Sequence, residues 1–242
     1  MATTAPSSAT VTPTPAPTTA ARAVALLRLG FGLFDAAALG FAAYRADLSP
    51  AGLVNYFCYF TILSNICATL VLLAGAAEGM LPIARRSGFR VPDALRGAAA
   101  LYMAITGLVY VVALSSYTEV QTIPWTNDVV HHVMPLVMLA DWLIVPPRSR
   151  IPAGRAAAWL IFPIAYLVFT LIRGPIAHWY PYPFVDPTRH GYAHVAVSCL
   201  LVAVAFVVIG ALLAWLGNLL ADRRTRRNRD RPRAAARGVL RS

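Results

Sequence analysis

Two short stretches carry the residue types best suited to chemistry. Residues 55–69 read NYFCYFTILSNICAT, and residues 127–142 read NDVVHHVMPLVMLADW. In the first, Cys58, Thr61, Ser64, Asn65 and Thr69 recur at spacings that place them in one polar stripe on a helix. In the second, two adjacent histidines, His131 and His132, open an apolar run. A threonine hydroxyl beside a neutral imidazole is the minimum apparatus for nucleophilic acyl chemistry. The ring takes the hydroxyl proton as the oxygen attacks an ester carbonyl. Asn127 and Asp128 precede His131 by four and three residues, close enough on a helix to orient its ring. Two blander arrangements stay open. A threonine in a membrane helix commonly bonds back to the carbonyl four residues earlier, and a histidine there commonly bridges helices.

A metal or haem site is a rival of a different class. His190 and His194 are four apart, and the topology derived below puts His131, His132, Asp128 and Asp186 on their side of the membrane. No helix-borne HExxH motif accompanies them, and no metal or cofactor is expected. Cys58, Cys67 and Cys199 form no CxxC pair and fall in apolar runs, where thiols act as small hydrophobes. A non-enzymatic membrane scaffold or carrier is the third reading. No inverted repeat is evident to support a transporter.

The elements that must position these residues are membrane helices. Of the 242 residues, 58% are hydrophobic and 13% charged, and the mean hydropathy is +0.62. That composition fits a polytopic membrane protein. Six apolar segments, near 23–44, 53–78, 95–116, 129–146, 156–173 and 191–220, each approach the roughly 20 residues that cross a bilayer core. The expected fold is an all-α, six-helix transmembrane bundle over residues 22–220. Before it, residues 1–21 are Ala/Thr/Pro-rich and expected to be disordered, with no signal-peptide pattern. After it, residues 221–242 form an Arg-rich tail.

All 21 basic residues are arginine, and nine follow residue 222. This excess suits anionic lipid headgroups rather than nucleic acid, since no basic face with aromatic readers is visible. Arg85, Arg86, Arg90 and Arg96 follow the second segment, and Arg148, Arg150 and Arg155 follow the fourth. The loops after the third and fifth segments are nearly free of arginine. The expected location is the plasma membrane, with both termini and the Arg-rich loops cytoplasmic. All five histidines then fall on the outer side.

Charges within the spans need partners. Arg28 and Asp35, seven apart, are expected to pair with each other across two turns or with another helix. Asp141 is placed to cap an arginine of a cytoplasmic loop. Arg173 closes the fifth segment, either holding a lipid carboxylate or marking the interface. Pro181, Tyr182, Pro183 and Phe184 make a rigid aromatic loop, which either covers a lipid entry path or belongs to an ordinary aromatic belt.

YFTILSN (59–65), NDVVHHVMP (127–135) and HWYPYPF (178–184) resemble the signature segments of the androgen-induced family of membrane threonine hydrolases, which cleave fatty acid esters of hydroxy fatty acids. The chain is most similar to that family's bacterial relatives, over about residues 23–220. The resemblance implies Thr61 as nucleophile and His131 as base, with a lipid ester as substrate. The ILSN that follows Thr61 belongs to the bacterial branch. Asn65, Asn127, Asp128, His132, Arg173 and Tyr182 are the candidate binding or orienting residues.

Overall fold

A computed structural model describes residues 18–46, 49–115 and 123–239, with side chains as far as Arg227. The helices are α1 (Thr19–Arg45), α2 (Pro50–Phe57), α3 (Phe60–Met80), α4 (Pro82–Arg86), α5 (Asp93–Val109), α6 (Pro124–Asp128), α7 (Met134–Ile144), α8 (Ala153–Ala158), α9 (Ile161–Ala177) and α10 (Pro187–Val239). No strand occurs among the described residues. Widened π turns continue α5 through Tyr110–Leu114 and join α6 to α7 through Val129–Val133. α10 breaks at Gly191, whose φ of 78° is a left-handed value that glycine adopts without steric cost.

The protein is an all-α, multi-pass membrane bundle. Thr19–Arg45, Phe60–Met80, Asp93–Leu114, Ala153–Ala177 and Pro187–Arg227 are long and apolar enough to cross a membrane. The expected fourth span is also helical, unbroken from 124 to 144, but it is more polar than the others. It carries Asn127, Asp128, His131, His132 and Asp141.

Local chemistry sets the helix starts. The Thr18 hydroxyl accepts from the Ala21 N–H at 3.3 Å, so α1 begins four residues ahead of the expected 23. Ser49 caps α2 in the same way through the Gly52 N–H at 3.0 Å. Pro50, Pro82 and Pro124 occupy first-turn positions, where a missing N–H costs nothing.

Small residues bring α1 and α3 together. A Cβ on Gly79 would lie 2.7 Å from that of Ala25, and one on Gly32 would lie 2.8 Å from Leu73. Gly75 opens the path by which Arg28 crosses α3, since a Cβ there would lie 3.0 Å from its Nη1. Arg28 therefore reaches Asp141 Oδ1, at 2.6 Å, and does not pair with Asp35. Asp35 instead accepts from the Thr69 hydroxyl at 2.6 Å.

Asp141 also takes Arg96 at 2.9 Å, and Arg96 in turn meets Asp93 at 3.3 Å. Arg148 bonds Glu78, and its N–H donates to Asp93 at 2.7 Å. These charges knit one end of the bundle together, the arginine end. Next to them Trp142 and Trp159 meet edge to face at 6.2 Å. Both press into the space left at Gly97, and Trp142 also fills that left at Gly217. The histidines lie at the opposite end.

Candidate active site

Thr61 sits where a helix begins. α2 ends at Phe57 and α3 starts at Phe60, so the expected second span is broken at Cys58 and Tyr59. Thr61 is thus in the first turn of α3 rather than eight residues into a continuous helix. Cys58 lies ahead of that helix and falls off the expected stripe. Thr61, Ser64, Asn65 and Thr69 are all buried.

The N-cap residue Tyr59 supplies no side-chain cap, and tyrosines from distant elements do so instead. The Phe60 N–H donates to Tyr166 Oη at 3.1 Å, and the Thr61 N–H donates to Tyr182 Oη at 3.1 Å. The Tyr166 hydroxyl donates to the Cys58 carbonyl at 2.8 Å, which holds the break open. The stripe then fixes Thr61 from behind. Ser64 Oγ donates to the Thr61 carbonyl at 3.0 Å and lies 2.9 Å from Thr106 Oγ1. Asn65 Nδ2 donates to the same carbonyl at 2.8 Å.

His131 owes its position to Pro135. Proline offers no N–H to the carbonyl four residues back, and its ring crowds that carbonyl, which here belongs to His131. The helix widens in response, and the Met134 N–H bonds Val129 O, five residues back. The Val130 carbonyl is left over and accepts from Asn65 Nδ2 at 3.2 Å. Gly107 lets α5 approach this turn closely, since a Cβ there would lie 3.1 Å from the Pro135 ring and 3.3 Å from the His131 carbonyl.

The result is a buried pair, with Thr61 Oγ1 3.2 Å from His131 Nε2. The hydroxyl does not bond back along its own helix. On the far side of the ring, His131 Nδ1 lies 3.0 Å from Asn127 Oδ1 and 3.2 Å from the Asn127 carbonyl. That carbonyl can only accept, so Nδ1 carries the ring proton and Nε2 presents its lone pair to Thr61. Asn127 Nδ2 donates to Tyr110 Oη at 2.7 Å, and the Tyr110 ring stacks on His131 at 4.1 Å and 18°. The contacts run from Tyr110 through Asn127 and His131 to Thr61, the kind of arrangement that activation of a hydroxyl by an oriented imidazole requires.

The other candidates fall into place around this pair. Tyr182 Oη lies 3.3 Å from Thr61 Oγ1, within the site. Asp128 does not orient His131. It is exposed and lies 3.3 Å from Nδ1 of His132, on the turn's outer face. His132 is 46% exposed and meets Tyr110 edge-on, directed away from Thr61. Arg173 donates to Asn55 at 2.6 Å and stacks over Trp179 at 5.3 Å, tying α9 to α2 outside the pair. The His190 and His194 rings are 4.8 Å apart, but no group of three His, Cys, Asp or Glu able to hold a metal occurs among the described residues.

The loop bearing Tyr182 is built for rigidity. Gly174 gives room to the Tyr180 ring, which would lie 2.0 Å from a Cβ there. Tyr182 stacks on Phe184 at 5.3 Å and 4°, and it meets Tyr59 edge-on. Burial pushes its phenol up to about 12. Thr61 and Tyr182 both line an apolar cavity of ≈ 210 Å³. Its remaining walls come chiefly from α5, α9 and α10. Ile164 and Val207 line it yet are 60% and 55% exposed, which puts a mouth on the lipid-facing side between α9 and α10.

Tyr110 and Tyr166 were not singled out from the sequence. The available signal was that a phenol inside an apolar span needs a polar partner, which marks both residues but does not name the partner. Comparisons of the chain with protein-family models, with curated proteins and with solved structures give no match.

Proposed function

We propose that the protein is a membrane lipid-ester hydrolase acting through Thr61 and His131. The observation that carries this reading is the 3.2 Å approach of Thr61 Oγ1 to the unprotonated Nε2 of His131, at the wall of an apolar cavity open toward lipid. Thr61 Oγ attacks the ester carbonyl carbon as its proton passes to His131 Nε2. The carbonyl π electrons move onto oxygen. Collapse of that tetrahedral centre breaks the bond to the alcohol oxygen, which leaves with the proton from His131. Water deprotonated by His131 then attacks the acyl-threonine, releasing the carboxylic acid and restoring the hydroxyl. Asn127 holds the imidazole in the required tautomer throughout.

The resemblance to the androgen-induced family supports the same assignment and suggests long-chain esters as substrates. The arginine distribution supports a plasma-membrane location with both termini cytoplasmic, the histidine end facing outward, and the Arg-rich tail meeting anionic headgroups.

Labelling with a lipase-type fluorophosphonate tests the reading. Wild type is expected to label and Thr61→Ala is not. Equal labelling of both, or no labelling and no ester hydrolysis by wild type, overturns it, and the latter outcome favours a lipid carrier using the same cavity.

A further inference from the structure

The site as described so far lacks a group to receive the negative charge that develops on the substrate carbonyl oxygen. We infer that the Tyr182 hydroxyl, together with the Thr61 N–H, forms the oxyanion site of the proposed hydrolase. The inference rests on the hydrolase reading and adds to it a third residue that touches the reacting atoms.

The argument begins with the Thr61 N–H. As a first-turn amide of α3 it has no partner within its helix, and it points at Tyr182 Oη, 3.1 Å away. An oxygen in that position is where a carbonyl oxygen must come once Thr61 Oγ1 bonds to its carbon. The phenol oxygen therefore holds the place of the substrate oxygen in the resting site. The positive end of the α3 dipole faces the same spot and favours negative charge there.

The phenol proton provides the second step. Two tyrosines cap α3, but they are not equivalent. Tyr166 spends its proton on the Cys58 carbonyl at 2.8 Å and has none to offer. Among the described residues, the only acceptor within hydrogen-bond reach of the Tyr182 proton is Thr61 Oγ1, at a long 3.3 Å. When Thr61 attacks, that oxygen becomes part of an ester and a poorer acceptor. A carbonyl oxygen arriving from the cavity then displaces the phenol oxygen from the Thr61 N–H and receives the phenol proton as a hydrogen bond. No proton transfers, since burial keeps this phenol neutral, as a donor to an oxyanion must be. The ring needs to shift only slightly, and its stack on Phe184 and edge contact with Tyr59 define the path. The other polar groups near Thr61 cannot substitute. Ser64 and Asn65 Nδ2 are both committed to the Thr61 carbonyl, on the helix side and away from the cavity.

The test is Tyr182→Phe, which keeps the ring and removes the donor. With para-nitrophenyl octanoate as substrate, kcat is expected to fall by about 10²–10³-fold, the usual loss for one oxyanion donor, while KM changes little. A Tyr182→Phe protein that is folded and keeps wild-type kcat overturns the inference. If that variant fails to fold, mono-, di- and trifluorotyrosine at position 182 retain the hydroxyl and vary its acidity. Below the pH at which each ionises, kcat is expected to rise with phenol acidity, whereas a flat series overturns the inference. Thr61→Ala, measured alongside, separates the two levels. Activity that survives Thr61→Ala sinks the hydrolase assignment and this inference with it, whereas Thr61-dependent activity indifferent to Tyr182 sinks the inference alone.

Discussion

The Asn65 side-chain amide lies 2.8 Å from the carbonyl of Thr61 and 3.2 Å from that of Val130, so one residue links the start of α3 to the widened turn that carries His131. Within the side chain only the nitrogen can serve both acceptors, because the amide oxygen cannot donate. Asn65→Leu is expected to remove both bonds, lowering stability by about 1–2 kcal/mol and the fluorophosphonate labelling rate by tenfold or more. Thermal unfolding in detergent and labelling at matched protein amounts measure the two effects. Labelling at the wild-type rate would show that the turn holds His131 without Asn65.

His131 and His132 make a built-in comparison. His131 is buried against Thr61, whereas His132 is half-exposed and faces Asp128. His131→Ala is expected to reduce hydrolysis by about 10²–10⁴-fold, the usual contribution of a positioned base, with the protein still folded. His132→Ala is expected to retain most of the activity. If His132→Ala is the inactive variant instead, the base has been assigned to the wrong ring.

Asp141 is expected to matter for stability rather than chemistry. It accepts from both Arg28 and Arg96 at the arginine end, far from Thr61. Asp141→Ala leaves two nearly buried guanidinium groups short of a counter-ion, at a cost of about 3–5 kcal/mol. Arg28→Met combined with Asp141→Ala should recover part of that loss, because one of the stranded charges is then gone. A double variant no better than Asp141→Ala alone would show that Arg28 adds nothing to the pair.

Orientation is open to a direct check. With the native cysteines replaced, a single cysteine in the 79–92 loop is expected to react with an impermeant thiol reagent only after the membrane is opened. One within residues 117–126, between the third and fourth apolar segments, is expected to react in intact cells. The reverse pattern would turn the proposed topology over and put the Thr61 end inside.

Much of the architecture was written in the apolar runs, because a bilayer tolerates few alternatives to helices of that length. The pairing of Thr61 with His131 was also approachable, since both residues stand near the same end of their segments. The break at Cys58–Tyr59 was not. No glycine or proline marks it, hydropathy runs straight through, and its cause is Tyr166, which lies more than 100 residues later. The partner of Arg28 could not be chosen from spacing for a similar reason. Spacing left open both Asp35 on the same helix and a partner on another helix, and the gap at Gly75 opens the route to the second, Asp141. Asp128, three residues before His131, looked as able as Asn127 to orient the ring, yet the widened turn carries it to the exposed face beside His132. Pro135 was the visible cause of that turn.

The two phenols that cap α3 also set a schedule for making the protein. Phe60 and Thr61 are translated early, but the hydroxyls that receive their N–H groups arrive with residues 166 and 182. A ribosome that has just completed α7 has delivered Thr61, Asn127 and His131 without the pieces that finish the start of α3. The nascent chain thus carries a threonine whose surroundings are incomplete until its last helices are being threaded. A chain cut short after α7 would hold Thr61 and His131 but neither phenol, so the start of α3 is completed only in the finished molecule.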